Sequence, residues 1–90
     1  MLKLRPAVLW WAERMEKELR LNESKGGWED EDYDYLLNRA KENLREIKTS
    51  KLYGINPNLI DINYAIKCCA DCSNFCMMLA DTLIQDRYQA

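Results

Sequence analysis

The stretch Asn56-Pro-Asn-Leu-Ile-Asp-Ile-Asn-Tyr64-Ala-Ile-Lys-Cys68-Cys-Ala-Asp71-Cys-Ser-Asn-Phe75-Cys-Met-Met-Leu-Ala80-Asp-Thr-Leu-Ile-Gln-Asp-Arg-Tyr88 decides how this chain folds. Asn56 is a good N-cap, and Pro57 suits the first helical position, where its missing N–H costs nothing. From there Leu59, Ile62, Ile66, Cys69, Ser73, Cys76, Ala80 and Leu83 recur at spacings of three and four, which sets them along one side of a helix and predicts that side as core. The opposite side carries Tyr64, Cys68, Phe75 and Met78, with Asp71 among them. A helix apolar nearly all round has to be covered on both sides. Asp71 on such a face then needs a cation, a donor or a proton.

Outward from this helix, the length of 90 residues bounds the chain to a single domain over 1–90, small enough that much of its surface stays wet unless it oligomerises. The 13 basic and 15 acidic residues are interspersed and leave a net charge of −2, so no basic tract invites a nucleic-acid polymer and no polybasic segment invites a membrane. No apolar run reaches a membrane span, and the opening residues break their hydrophobicity at Pro6, Glu13 and Arg14, unlike a secretory signal. The expectation is a cytoplasmic protein. All four cysteines, 68, 69, 72 and 76, fall within the one predicted helix, where they cannot readily pair with each other. They read as reduced, with Cys69, Cys72 and Cys76 as small core residues. Cys69-Ala-Asp-Cys72 has C-x-x-C spacing, but no histidine and no further cysteine completes a zinc site. The lack of histidine also removes the usual general base, so any hydrolysis must use carboxylates, a metal ion or both.

Before the long helix, the spacing predicts a helix over 6–22, with Val8, Trp11, Ala12, Met15 and Leu19 inward and Glu13–Lys17 and Glu16–Arg20 as pairs on its wet side. Trp10 lies off that stripe. The acidic cluster at 29–34 suits a positive helix N-terminus, and a second helix runs from it to about residue 49, with Leu36, Leu37, Ala40, Leu44 and Ile47 inward. Glu42 and Glu46 stand one turn apart on its polar side, and Asn43 lies at the edge of the stripe. Between the two helices, Lys25-Gly26-Gly27-Trp28 joins a cation and an indole through two glycines that tolerate close approach. This is either a simple connector or a grip for a nucleotide, with Lys25 on phosphate and Trp28 against a base. Residues 50–54 form a short return to the Asn56-Pro57 start. The fold class is therefore all-α: a bundle of three to four helices with a long C-terminal one.

Asn22-x-x-Lys25-Gly26-Gly27-Trp28, the Lys41-Glu42-Asn43-Leu44-Arg45-Glu46-Ile47 segment, and Ala70-Asp71-x-x-Asn74-Phe75-x-Met77-Met78-x-Ala80-Asp81 together resemble the MazG-like, all-α nucleoside triphosphate pyrophosphohydrolases, especially their small phage and bacterial members. The likeness covers most of the chain, about residues 11–81. It implies a helical protomer that assembles into a homodimer or homotetramer. The implied reaction cleaves a (deoxy)nucleoside triphosphate between its α and β phosphates, giving the monophosphate and pyrophosphate.

In that family E-E-x-x-E on the second helix and E-x-x-D on the third surround Mg²⁺, a hard cation that prefers oxygen ligands. The register here gives Glu42, Asn43 and Glu46 for the first motif, and Cys68 and Asp71 for the second. The resemblance thus implies Glu46 and Asp71 as catalytic, Glu42, Glu46 and Asp71 as ligands to Mg²⁺ or Mn²⁺, and Lys25, Trp28 and Asn74 as nucleotide-binding residues. Two of the family's carboxylates are replaced, by Asn43 and Cys68. Cys68 offers a soft donor that Mg²⁺ avoids and that a softer ion would accept. The competing expectation is a family member without turnover, serving as a nucleotide sensor, an inhibitor or an oligomeric interaction module. A purely structural bundle is the third.

Overall fold

The computed structural model describes residues 2–28, 31–49 and 59–88, with the side chains of all of these except 25, 59, 60 and 86–88. Among the described residues the chain is all-helical: α1 (Pro6–Leu21), a single 3₁₀ turn (Glu23–Lys25), α2 (Tyr33–Thr49) and α3 (Leu59–Tyr88). None of these helices is long and apolar enough to cross a membrane. The Asn56-Pro57 cap and the connector at 50–54 lie outside the described residues, as do Glu29 and Asp30 of the acidic cluster.

Helix α1 starts where proline permits. Arg5 stands before it in extended backbone at φ −65° and ψ 148°, and Pro6 takes the first turn. At its other end Asn22 turns back, its Nδ2 donating to the Glu18 carbonyl at 2.9 Å, and the 3₁₀ turn closes with the Gly26 amide on the Glu23 carbonyl at 3.1 Å. Gly26 then adopts φ +87°, a region that side-chain-bearing residues seldom enter. A Cβ there would touch nothing within 4 Å, so conformation rather than crowding favours glycine. The chain turns again at Trp28, whose carbonyl accepts from the Glu31 amide at 3.0 Å, and α2 begins with Asp34 in its first turn.

Helix α3 lies against both others, most extensively against α2. The phase of its inner face differs from the expected one. Its buried residues are Ala65, Cys68, Ala70, Cys72 and Asn74, whereas Ile62, Cys76 and Leu83 of the expected core stripe are exposed. Ile66, Cys69 and Ser73 are half-buried. Because α3 is apolar nearly all round, periodicity alone cannot say which sector meets a neighbour; the sectors chosen are those whose small side chains let the helices approach closely. On α2 the buried line is Leu36, Ala40 and Asn43, so Asn43 is central and Leu44 is exposed. On α1, Glu18 is the buried residue and Val8 is exposed.

Candidate functional site

Where α1, the glycine loop, α2 and α3 meet, a cleft of about 600 Å³ opens to solvent. α3 contributes the face Lys67, Asp71, Asn74 and Phe75, residues brought together by the three-and-four spacing of a helix. Glu18 and Asn22 enter from α1, and Tyr35 and Arg39 from α2. Gly26, Gly27 and Trp28 form the rim. The indole is fixed in place: its Nε1–H donates to Asp81 Oδ2 at 3.0 Å, which ties the loop to the far end of α3. A second tryptophan does the same for α1, with Trp11 Nε1–H on Ser73 Oγ at 3.1 Å. The Arg39 guanidinium lies 5.6 Å from the Phe75 ring centroid and pairs with Glu42.

Three of the residues read from the sequence as site residues, Trp28, Asp71 and Asn74, therefore line one cleft. The side chain of Lys25 lies outside the described residues, though its backbone leads directly into the Gly26–Gly27 rim. Glu46 and Glu42 are not among the described lining. Glu46 accepts from the Tyr64 hydroxyl at 3.2 Å and from the Cys68 thiol at 3.4 Å, both on α3. Glu42 is exposed and held by Arg39.

Each of the three expected metal-binding carboxylates thus has a donor from the chain, since Asp71 Oδ2 receives Lys67 Nζ at 2.8 Å. Among the described residues no group of three or more histidine, cysteine, aspartate or glutamate side chains is arranged to hold a metal ion.

Electrostatics follow from these partners. The hydrogen bond to Asp71 raises the Lys67 pKa above its ordinary value against the opposing effect of burial, and the charges of Asp71 and Glu18 add to the rise. Burial, followed by the contact with Glu46, raises the Cys68 thiol, so the thiol form persists where a free cysteine would begin to ionise. Burial raises Cys72 as well. Its thiol points at the Ala40 carbonyl at 3.6 Å, as a small core residue would.

Two cleft residues were not singled out from the sequence. Glu18 is only 2% exposed, with Oε1 on Arg14 Nη2 at 3.1 Å and Oε2 3.9 Å from Lys67 Nζ. Lys67 stands between Glu18 and Asp71, a cation shared by two acids. The signal for Glu18 was its register: Trp11, Met15, Glu18 and Asn22 follow a four-three-four spacing, a second stripe beside the one that hydrophobicity picks out.

No family model, curated protein or solved structure matches the chain.

Proposed function

We propose that this protein binds a nucleotide in the cleft between α1, the glycine loop and α3, after the manner of the MazG-like pyrophosphohydrolases it resembles. The observation that carries the reading is the meeting of Trp28, Gly26–Gly27, Asp71 and Asn74 around one cavity of nucleotide size. These residues come from both ends of the sequence likeness. Trp28, Tyr35 and Phe75 offer flat apolar surface for a base, and Arg20 and Arg39 would offer charge for phosphate on turning from their exposed partners Glu16 and Glu42.

The described lining nevertheless holds five carboxylates against three cations, so a triphosphate would be better received with a divalent ion already on its phosphates. Asp71 is the carboxylate placed to meet a Mg²⁺ or Mn²⁺ that arrives in this way. Among the described residues no group of carboxylates is arranged as a resident cage.

Turnover is a separate proposition. In the active reading, Glu46 and Asp71 support hydrolysis of a (deoxy)nucleoside triphosphate to the monophosphate and pyrophosphate with Mg²⁺. The second reading, a member that binds without hydrolysing and acts as a sensor, inhibitor or interaction module, is favoured by one observation: Asp71, Glu46 and Glu42 are all engaged by protein donors.

Calorimetric titration of deoxynucleoside triphosphates with Mg²⁺ or Mn²⁺, followed by a pyrophosphate-release assay, separates the two. Saturable binding that Asp71→Ala weakens at least about tenfold, the scale of a lost charged contact, is expected. Release abolished by Glu46→Ala or Asp71→Ala establishes the hydrolase, and binding without release establishes the second reading. Absence of binding by any nucleotide rejects both. Under the second reading, Asn43→Glu with Cys68→Glu adds two buried carboxylates beside Glu46, and Mg²⁺ should then raise the melting temperature of the double variant and not of the parent.

A further inference from the structure

Two acids of the cleft draw on one cation, Lys67. Its Nζ donates to Asp71 Oδ2 at 2.8 Å and stands 3.9 Å from Glu18 Oε2, so a single ammonium ties α3 to α1. Glu18 has a second cation in Arg14, at 3.1 Å. Among the described residues, Lys67 is the cation paired with Asp71.

Helical spacing by itself does not account for this placement. A lysine four residues before an acid is the weaker order for a pair on one helix, and an exposed pair of that kind contributes little. Here the Asp71 side chain is only 20% exposed, and Glu18 of the neighbouring helix shares the same ammonium. An acid so covered is costly to leave without a partner. Asp71 is also the one expected metal ligand that lines the cleft. A divalent ion approaching its carboxylate would meet the repulsion of the adjoining ammonium, besides having to shed its own water.

We propose that Lys67 is the resident cation of the cleft: it occupies Asp71 in the free protein in place of a divalent ion, and Asp71 becomes available to a ligand only when Lys67 leaves it. Glu18 keeps the ammonium beside the site, so Lys67 gives up its bond to Asp71 without losing every partner. A monovalent cation offers no more charge than the lysine it would displace. Nucleotides that arrive with a divalent ion on their phosphates are therefore selected over metal-free ones. That selection rests on the nucleotide-binding reading; the occupancy of Asp71 by Lys67 does not.

Two measurements on the full chain test this. Broadening of amide resonances by Mn²⁺ reads the metal occupancy of each acid with no nucleotide present. In the parent, the Asp71 and Asn74 amides should broaden no earlier than those beside an exposed acid such as Glu13. In Lys67→Met they should broaden at an Mn²⁺ concentration at least about tenfold lower, the scale of one charged contact removed. Lys67→Arg, which keeps the charge, should behave as the parent, and Lys67→Met with Asp71→Asn should lose the gain. Calorimetric titration of the four deoxynucleoside triphosphates with Mg²⁺ should then show Lys67→Met binding at least about tenfold more tightly than the parent, with no rise in affinity in EDTA. An unchanged broadening profile in Lys67→Met, or weaker binding of the Mg²⁺-bound nucleotides, overturns the proposal and leaves the nucleotide cleft standing. Should Lys67→Met fail to fold, the parent decides alone: Asp71 broadened ahead of the exposed acids overturns the proposal, and Asp71 spared supports it. If parent and variant bind none of the four nucleotides while the variant gains the broadening, the nucleotide reading falls and Lys67 remains the resident cation.

Discussion

Cys68 is the residue at which the sequence likeness and the local chemistry part most clearly. A position expected to carry a carboxylate for a hard cation holds a thiol that is 2% exposed and hydrogen-bonded to Glu46. Burial and that neighbouring carboxylate both penalise the thiolate, so Cys68 is a poor nucleophile and a poor ligand near neutral pH. Iodoacetamide should therefore modify exposed Cys76 at least about tenfold faster than Cys68 or Cys72, as read by a peptide mass-spectrometric time course. Comparable rates at all three would contradict the burial. The same shift has a sign for stability. A thiol whose folded pKa is raised contributes stability that is complete below the unfolded value of about 8.5 and is lost as pH climbs through the folded value. Cys68 and Cys72 act in this direction, and Lys67 and Tyr64, also raised, act in the same direction at still higher pH. The urea midpoint should fall between pH 8 and pH 10, and less steeply when Cys68 and Cys72 are both alanine. An unchanged slope in that variant would contradict the assignment of the loss to the two thiols.

At the scale of the helix, α2 shows how a polar residue can sit where packing wants an apolar one. Its buried line runs Leu36, Ala40, Asn43, and the Asn43 Nδ2 donor has no partner. Leu36→Ala, at 1% exposure, should cost about 2–5 kcal/mol by removing a filled core volume. Asn43→Leu should instead stabilise by about 1 kcal/mol, because it removes an unsatisfied buried donor from an otherwise apolar line; both are read from urea unfolding. A loss on Asn43→Leu would mean that the amide bonds a group in the folded protein. This residue also marks the limit of what periodicity conveys. That three helices form, that Pro6 opens the first and that a glycine turn follows it were legible, because caps, breakers and a positive-φ glycine act locally. Of the residues named through the motif likeness, Trp28, Asp71 and Asn74 line one cleft and Glu46 does not. The rotation of each helix was not legible. Leu44 and Ile62 fit an inward stripe as well as Asn43 and Ala65 do, and the difference lies in how closely neighbouring backbones approach, which no single helix encodes. Glu18 and Lys67 escaped notice for the same reason: opposite charges on separate helices read as solvated until the helices are brought together.

At the scale of the whole molecule, the apolar residues displaced from the core are themselves ordered. Ile62, Ile66, Cys69, Ser73, Cys76, Ala80 and Leu83 alternate spacings of four and three, the pattern of a heptad seam; its middle is half-buried, with Ser73 bonded to Trp11 of α1, while Ile62 at one end (37%) and Cys76, Ala80 and Leu83 (43%) at the other are exposed in the single chain. Trp10, Val8 and Leu9 on α1 add further exposed apolar surface. A homo-oligomer of the kind the sequence likeness implies would be built on this face of α3. Light scattering after size exclusion should give about twice the 10.7 kDa of one chain, or a higher multiple. Ile62→Glu with Leu83→Glu places like charges in the seam and should return the mass to that of the monomer. Because the described lining of the cleft comes from one chain and contains neither residue, nucleotide affinity in the variant should stay within about threefold of the parent; a larger loss would mean that the partner subunit completes the site. A parent protein that scatters as a monomer, or an unchanged oligomer after both substitutions, would remove α3 as the seam.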